Sequence, residues 1–292
     1  MKIFVTGGSG HIGSAVVPLL QAAGHDVLGL ARSDASAAAL EGRGVDVLRA
    51  DLADLDALRG AAAGSDGVVH LAFVHDFTDF DGAAATDRAA VEAMSSALVG
   101  TGRPFVCASG TPVIPGRVAT EEDLPAVGGS LGARAETGRA LLALADQGVR
   151  SSLVGLPRTV HDDHGNGGFA AGLAAMARRS GVSGYVGDGS ARWPAVHVDD
   201  AAAAFVVALE RAPGGSVLHA VGEEGVTLLD TATAIGRALD VPVRPVEPEQ
   251  LGFLGSLAGI DQPASAALTR ERYGWEPGGR GLLESLAGLA RA

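Results

Sequence analysis

The chain has 292 residues, a formal net charge of −12 at pH 7 and one cysteine, Cys107. This acidity argues against nucleic acid as a partner, because phosphate neutralisation needs a basic face, and a single cysteine excludes an internal disulfide. The sequence has no apolar run of about 18 residues, and its first residues already form a strand. We therefore expect no membrane span and no secretory signal, which leaves the cytoplasm as the default location.

The first predicted elements are a strand over residues 2–6 (KIFVT) and a helix, joined by the glycine-rich turn 7–13 (GGSGHIG). We expect Gly7 to permit a tight turn, Gly10 to let backbone approach a pyrophosphate, and Gly13 to let the helix pack closely on the sheet. Free amide groups and the positive end of the helix dipole make the turn an anion site, with a dinucleotide as the expected anion. The alternative, a turn that binds nothing, is disfavoured by the strand before it and the helix after it.

A second strand is predicted over His25–Ala31 and ends on Arg32 and Ser33. About 20 residues past such glycines, an acid accepts the ribose 2′-hydroxyl of NAD, whereas an arginine accommodates the 2′-phosphate of NADP. Arginine suits a phosphate because its planar fork forms two parallel charge-assisted hydrogen bonds. NADP(H) is therefore the preferred cofactor, with Arg32, Ser33 and His11 around the phosphate. NAD(H) is the alternative, in which Arg32 is only a solvated residue and Asp34 serves the ribose.

Strands and helices continue to alternate along the chain. Further strands are predicted at Val45–Arg49, Gly67–Ala72, Arg103–Ala108, Arg150–Leu156 and Ser216–Val221, and helices at Asp54–Ala63, Gly82–Val99 and Gly132–Gln147. This alternation predicts parallel strands joined by right-handed crossovers, which is an α/β fold with a doubly wound parallel sheet of the Rossmann type.

The carboxyl ends of the strands form the edge at which such a sheet binds ligands. Asp51 is placed there to reach the adenine amino group, and residues 71–73 to flank the adenosine or its ribose. The alternatives are a turn or cap role for Asp51 and a core position for Leu71. The full set of predicted cofactor contacts is Gly7, Gly10, His11, Ile12, Gly13, Arg32, Ser33, Asp51, Leu52, Leu71, Ala72, Phe73 and Pro157.

Several motifs in this order resemble the extended or atypical branch of the short-chain dehydrogenase/reductase superfamily, the NAD-dependent epimerase/dehydratase-like proteins. The matching stretches are Thr6–Gly13, Ala50–Leu52, Val69–Ala72, Ala108–Ser109, Val196–Ala201 and Tyr273–Pro277. The resemblance implies an NADP(H)-binding Rossmann domain over residues 1–157, to which residues 197–222 return, and a smaller C-terminal domain, mainly substrate-binding, over residues 158–292. It also makes a homodimer a family-level expectation.

The sequence departs from the family at the catalytic pair. Redox members use a Tyr-x-x-x-Lys pair on the helix after the fifth strand, where the lysine lowers the tyrosine pKa. Residues 130–136 read SLGARAE, the only lysine is Lys2, and the only tyrosines are Tyr185 and Tyr273. The resemblance leaves Ser109 or Thr111 as the surviving catalytic Ser/Thr, which would hold a substrate carbonyl or hydroxyl.

Residues 128–132 also satisfy the G-x-S-x-G pattern of a hydrolase nucleophile elbow, which requires a strand before the serine. Pro125 weakens that strand. Ser130 is therefore interpreted as a helix N-cap rather than a nucleophile.

Two residues in the second half of the chain, His161 and Tyr185, are candidates for a replacement proton donor. His161 is a candidate because imidazole titrates near neutral pH. For Tyr185 the alternative is a half-buried aromatic whose hydroxyl is bonded to backbone. The spacing of His161 and His164, with two aspartates between them, also permits a metal pair or simple polar loop contacts, and no metal is expected.

Substrate contacts are expected from three residues: His164, Arg192 and Trp193. His164 lies in the polar loop after the sixth strand. The family resemblance implies a substrate contact for Arg192, whereas Trp193 is expected to pack against the wall of the pocket.

The sequence thus predicts an NADP(H)-dependent oxidoreductase that transfers hydride to or from a carbonyl, imine or enone of a small, mainly hydrophobic molecule. The alternatives are an isomerase, dehydratase or cyclase without net redox chemistry, and a non-enzymatic NADP(H) sensor.

Overall fold

The computed structural model describes residues 1–74, 79–127 and 132–289. The chain forms two compact units. The first unit comprises residues 1–109, 124–155 and 202–218, and the second comprises residues 110–123, 156–201 and 219–292. The predicted N-cap Ser130 lies outside the described residues. The predicted domain boundary at residue 157 stays a prediction.

The strands, in chain order, are β1 Lys2–Thr6, β2 Asp26–Ala31, β3 Asp46–Arg49, β4 Gly67–His70, β5 Pro104–Gly110, β6 Arg150–Leu156, β7 Thr159–His161, β8 Ser183–Tyr185, β9 Arg192–His197, β10 Ser216–His219, β11 Glu223–Thr227 and β12 Val243–Pro245. The α-helices are α1 Gly13–Ala22, α2 Asp34–Glu41, α3 Leu55–Ala63, α4 Phe80–Ser96, α5 Gly132–Ala143, α6 Gly168–Ser180, α7 Val198–Arg211, α8 Leu228–Leu239, α9 Gly252–Ala258, α10 Ala267–Tyr273 and α11 Leu282–Leu286.

A seven-stranded sheet in the order β10-β6-β5-β4-β1-β2-β3 confirms the predicted doubly wound fold. Strand β1 pairs in parallel with β2 on one side and with β4 on the other, where Thr6 lies opposite His70. The strand order therefore reverses at β1. In open α/β sheets this switch point is where ligands bind, outside the carboxyl ends of the strands.

The central strands are buried because helices cover both faces of a parallel sheet. Residues 3–5 of β1 and residues 68–69 of β4 have no exposed surface. Cys107 lies in the same core, where desolvation raises the pKa of its thiol to about 12. This agrees with a packing role for the cysteine.

Four predicted elements end earlier than their apolar patterns suggest. The helix predicted to Val99 ends at Ser96. Strand β4 stops at His70 because the amides of Leu71 and Ala72 turn to the backbone oxygen and Oγ1 of Thr6, both at 3.2 Å. The helix predicted to Gln147 is α-helical only to Ala143 and then tightens into a 3₁₀ turn. The last strand of the sheet ends at His219 rather than Val221. After both strands, apolar residues continue past the last residue of the strand.

The second unit contains two small sheets, in the orders β11-β9-β7 and β12-β8. Its core includes residues from α6, β9 and α8, among them Leu173, Trp193 and Ile235. Among the described residues, no helix has both the length and the apolarity needed to cross a bilayer.

Candidate cofactor and substrate sites

The glycine-rich turn leaves no room for side chains at two of its positions. Gly7 has φ +71°, and a Cβ there would lie 2.7 Å from the amide nitrogen of Ala72. A Cβ on Gly13 would lie 2.1 Å from the carbonyl oxygen of Gly7 and 2.6 Å from Cα of Gly8. The start of α1 therefore packs on the backbone of the turn itself, and the predicted close packing of the helix on the sheet stays a prediction.

The turn is open where a pyrophosphate would approach. Gly10 is exposed, and its amide donates to the carbonyl of Gly7 at 3.0 Å. Helix α1 begins after Ile12 with no side-chain cap and no acidic residue in its first turn. Uncapped amides at a helix N-terminus bind anions, so this turn fits the phosphates of a dinucleotide. His11, the next predicted contact, is exposed at the same turn.

The segment after β2 begins with Arg32 and contacts a second arginine, Arg49. Arg32 is exposed and forms no ion pair within the described part of the chain. Ser33 caps α2 in a capping box with Ser36. Arg49 donates to the carbonyl of Ser33 at 3.0 Å and forms an ion pair with Asp34. The acid that would serve the ribose of NAD is therefore already bound by an arginine.

Sequence reasoning missed Arg49. The sequence signal was that the predicted strand Val45–Arg49 ends on this residue. In the structure Arg49 lies at the end of β3, directly opposite Ala31, the residue before Arg32. Two cations therefore stand at neighbouring strand ends.

The remaining predicted adenosine contacts divide between turn, core and loop. The carboxylate of Asp51 accepts from the amide of Ala53 at 3.2 Å, as the turn alternative predicted. Leu52 is 8% exposed and packs in the core, so only its backbone is available to a ligand. Leu71, Ala72 and Phe73 are half-buried directly after β4.

A buried polar chain fixes the segment after β4. The Oγ1 atom of Thr6 accepts from the amide of Ala72 and lies 2.7 Å from Nδ1 of His70. Nε2 of His70 lies 3.1 Å from Oδ1 of Asp87. One proton arrangement satisfies all three contacts: the hydroxyl of Thr6 donates to Nδ1 of His70, and Nε2–H of His70 donates to Asp87. This chain holds the loop against the end of β1.

Arg134 extends this chain from α5, the helix that carries the tyrosine and lysine in the resembled family. Its Nε lies 3.7 Å from Oδ2 of Asp87, and its Nη2 donates to the carbonyl of Ala108 at 3.3 Å. The guanidinium stacks 4.1 Å from the ring centroid of Phe73. Ser109, the next residue after Ala108, is half-buried at the end of β5. The structure thus places a cation, not a tyrosine, beside that strand end.

A separate cluster in the second unit contains Thr111. The Nε2 atom of Gln262 donates to the carbonyl of Thr111 at 2.5 Å and lies 3.3 Å from its hydroxyl. Oε1 of the same amide accepts from Nε of Arg158. The guanidinium of Arg158 lies 4.8 Å from the ring centroid of Trp193, which is 3% exposed. The buried Pro157 precedes this arginine.

The two histidines of the predicted pair, His161 and His164, differ in burial. His161 is fully buried with its ring 5.7 Å from that of His197, whereas His164 is exposed. Burial lowers the pKa of His161, so its imidazole is neutral at pH 7. Asp162 organises the loop by accepting from the amides of His164 and Asn166 at 2.8 and 2.9 Å. Within residues 1–74, 79–127 and 132–289, no group of three or more His, Cys, Asp or Glu side chains is arranged to hold a metal.

Tyr185 and Arg192 differ in burial and in their hydrogen-bond partners. Tyr185 is half-buried on the core of the second unit, and its hydroxyl has no hydrogen bond within the described residues. Arg192 is exposed and forms a bidentate pair with Asp261 at 3.0 and 2.8 Å. A substrate contact by Arg192 therefore has to compete with this carboxylate.

A doubly wound sheet with an uncapped glycine turn at its switch point defines the class, a Rossmann-fold nucleotide-binding protein. The model of the NAD dependent epimerase/dehydratase family matches residues 3–123. The chain belongs to this family, in the extended branch of the short-chain dehydrogenase/reductases.

Its relatives include an uncharacterized protein of Schizosaccharomyces pombe, 43% identical over 98% of each chain. A 2-alkyl-3-oxoalkanoate reductase of Stenotrophomonas maltophilia is 34% identical over 74% of this chain and 68% of that protein. A solved UDP-glucose 4-epimerase of Thermus thermophilus, in complex with NAD, has a TM-score of 0.76 at 22% identity and covers 100% of this chain and 98% of its own. This last likeness shows the fold.

Proposed function

We propose that the chain is an enzyme, an NADP(H)-dependent oxidoreductase that acts on a carbonyl, imine or enone of a small molecule. The observation that supports NADP(H) over NAD(H) is the pairing at the end of β2. Asp34, the acid available for a ribose hydroxyl, is held by Arg49, whereas Arg32 forms no ion pair within the described residues. The likeness to an oxoalkanoate reductase supports carbonyl reduction.

The cofactor would be held by the turn at residues 7–13, by Arg32 and Ser33, and by residues 71–73. When bound, the nicotinamide supplies or accepts the hydride. Gly7 and Gly13 let the turn close on itself, and the uncapped start of α1 offers amides to the pyrophosphate.

The chain's own polar groups would orient the substrate and move the proton. Ser109 or Thr111 holds the substrate oxygen, and the contact between Thr111 and Gln262 supports Thr111 in this role because its position is fixed. For the proton, burial lowers the pKa of His161 and leaves a neutral imidazole, which is a weak acid. Tyr185, whose hydroxyl has no hydrogen-bond partner in the described residues, is the better supported donor.

The test is NADPH consumption against a panel of carbonyls, imines and enones. Stoichiometric NADPH oxidation by at least one substrate supports the proposal. Loss of activity in Tyr185→Phe, with NADPH affinity retained, assigns the proton donor, and the same loss in His161→Ala instead would reassign it. Tight NADPH binding without turnover of any substrate favours the sensor alternative, which the missing Tyr-x-x-x-Lys pair keeps open. Substrate conversion without net NADPH consumption favours an isomerase, dehydratase or cyclase.

A further inference from the structure

The second unit contains a desolvated cation that no carboxylate balances. Arg158 is half-buried, and within the described residues it forms no ion pair. Desolvation lowers the pKa of Arg158 to about 10, and no acidic group opposes that effect. Guanidinium groups removed from water are normally paired, because an isolated buried charge is costly. An unpaired one therefore points to an anion that arrives from outside.

The arginine is held in place by neutral partners. Its Nε donates to Gln262, and its Nη1 donates to the carbonyl of Leu257 at 2.8 Å. The guanidinium plane is supported by Trp193, which itself packs against Phe169 with ring centroids 5.8 Å apart. A guanidinium has five N–H donors, and these contacts use two of them. The other donors have no acceptor in the described part of the chain, so a preorganised fork is available to a ligand.

We propose that Arg158 binds the carboxylate of the substrate, so that the enzyme acts on oxo acids rather than on neutral carbonyl compounds. The inference names the substrate class of the proposed oxidoreductase and rests on that function. Gln262 is the positioning residue, because its amide contacts both Arg158 and Thr111 and so fixes the arginine relative to the hydroxyl proposed to hold the substrate oxygen.

A carboxylate fits this site better than a phosphate. One guanidinium balances one negative charge, and its planar fork matches a planar carboxylate. Arg192, the first residue of β9, already has its charge balanced by Asp261. The aromatic support of Trp193 and Phe169 also favours an apolar remainder of the substrate. This narrows the expectation of a mainly hydrophobic molecule to an amphipathic one that carries a carboxylate.

Binding can be tested without cofactor, because the chain has only two tryptophans and one of them supports Arg158. In a Trp275→Phe background, Trp193 is the sole tryptophan, and its fluorescence is followed while acetoacetate or 4-oxopentanoate is added. The methyl esters of the same acids are the neutral controls. We expect a saturable change with the acids and none with the esters, and loss of the change when Arg158→Met is added.

Turnover provides the second readout. Loss of a charge-assisted buried hydrogen bond lowers kcat/KM for oxo acids by about 10- to 100-fold in Arg158→Met, with methyl esters unaffected. Arg158→Lys keeps the charge without the fork, so it retains an intermediate preference for acids. Arg179→Met removes an exposed arginine from the same unit and leaves the preference unchanged. NADPH affinity stays at the wild-type value in all three variants.

The proposal is overturned if wild-type protein binds or reduces the esters as well as the acids, or if Arg158→Met keeps the wild-type preference. Response to inorganic phosphate or dihydroxyacetone phosphate but not to the oxo acids also overturns it and assigns a phosphate site. The failure of the proposed function looks different: the acids bind through Arg158, but no carbonyl compound is reduced at any concentration. If Arg158→Met fails to fold, the acid-against-ester comparison in wild type and Arg158→Lys decides the outcome.

Discussion

Substitution of Gly13 by alanine tests the turn most sharply, because its new Cβ would meet only backbone. The Cβ would lie 2.1 Å from the carbonyl oxygen of Gly7, about 0.9 Å inside the 3.0 Å that real Cβ contacts respect. No side-chain rotation can relieve this clash, so the turn or the start of α1 has to move. Overpacking of this kind costs about 3 kcal/mol, which lowers Tm by about 5–10 °C in a chain of this size.

Two matched glycine variants separate stability from binding. In Gly10→Ala the new Cβ would lie 3.2 Å from the carbonyl of Gly7, which the turn can accommodate. We expect near wild-type Tm but NADPH affinity reduced at least about tenfold, because the Cβ faces the approaching pyrophosphate. In Gly60→Ala the Cβ meets nothing within 4 Å in α3, so stability rises by about 0.5–1 kcal/mol and binding is unchanged.

Calorimetric unfolding and NADPH titration of the three proteins provide the measurements. Wild-type Tm together with wild-type NADPH affinity in Gly13→Ala would refute the reasoning, since the observed contacts leave no space for that methyl group.

Three further predictions follow from other contacts. Arg32→Met should weaken NADPH binding about tenfold and leave NADH binding unchanged, whereas the control Arg43→Met should change the affinity for neither cofactor. Both affinities are measured by titration calorimetry, and equal losses for NADPH and NADH would contradict the assignment of Arg32 to the 2′-phosphate. Because burial lowers the pKa of His161, the unfolded state binds more protons between that depressed pKa and about 6.5. The free energy of unfolding should thus decrease as pH is lowered through this window, and urea unfolding of His161→Gln should show a shallower decrease; an unchanged slope would count against it. Arg134→Met leaves the buried carboxylate of Asp87 without its second partner and should cost about 1–2 kcal/mol. A double-mutant cycle with Asp87→Asn should recover part of that cost, and strict additivity would show that the pair does not interact.

The sheet could be predicted from the sequence because its strands are short apolar runs separated by helical patterns. The turn at residues 7–13 could also be predicted, since glycine spacing between a strand and a helix reflects local backbone requirements. Both signals are local, and both lie within a few residues of the elements that they specify. Strand ends were less predictable, because β4 stops where the amides of Leu71 and Ala72 find Thr6, a partner far away in the chain.

The polar clusters could not be predicted for the same reason. Arg158 and Gln262 are 104 residues apart in sequence, and neither belongs to a periodic pattern. The sequence showed only that Arg134 belongs to the helix on which the resembled family carries its tyrosine and lysine. Its contacts with Asp87 and Phe73 depend on the packing of three separate segments. Hydrophobic periodicity carries no information on which charged side chain meets which.

The central claim is that the turn at residues 7–13 binds a nicotinamide dinucleotide and that Arg32 makes NADPH the preferred form. Titration calorimetry of the wild-type protein with NADPH and with NADH tests it directly. We predict saturable binding of both, with NADPH bound more tightly. Absence of binding of either cofactor at millimolar concentration would contradict the claim, and tighter binding of NADH would contradict the role of Arg32.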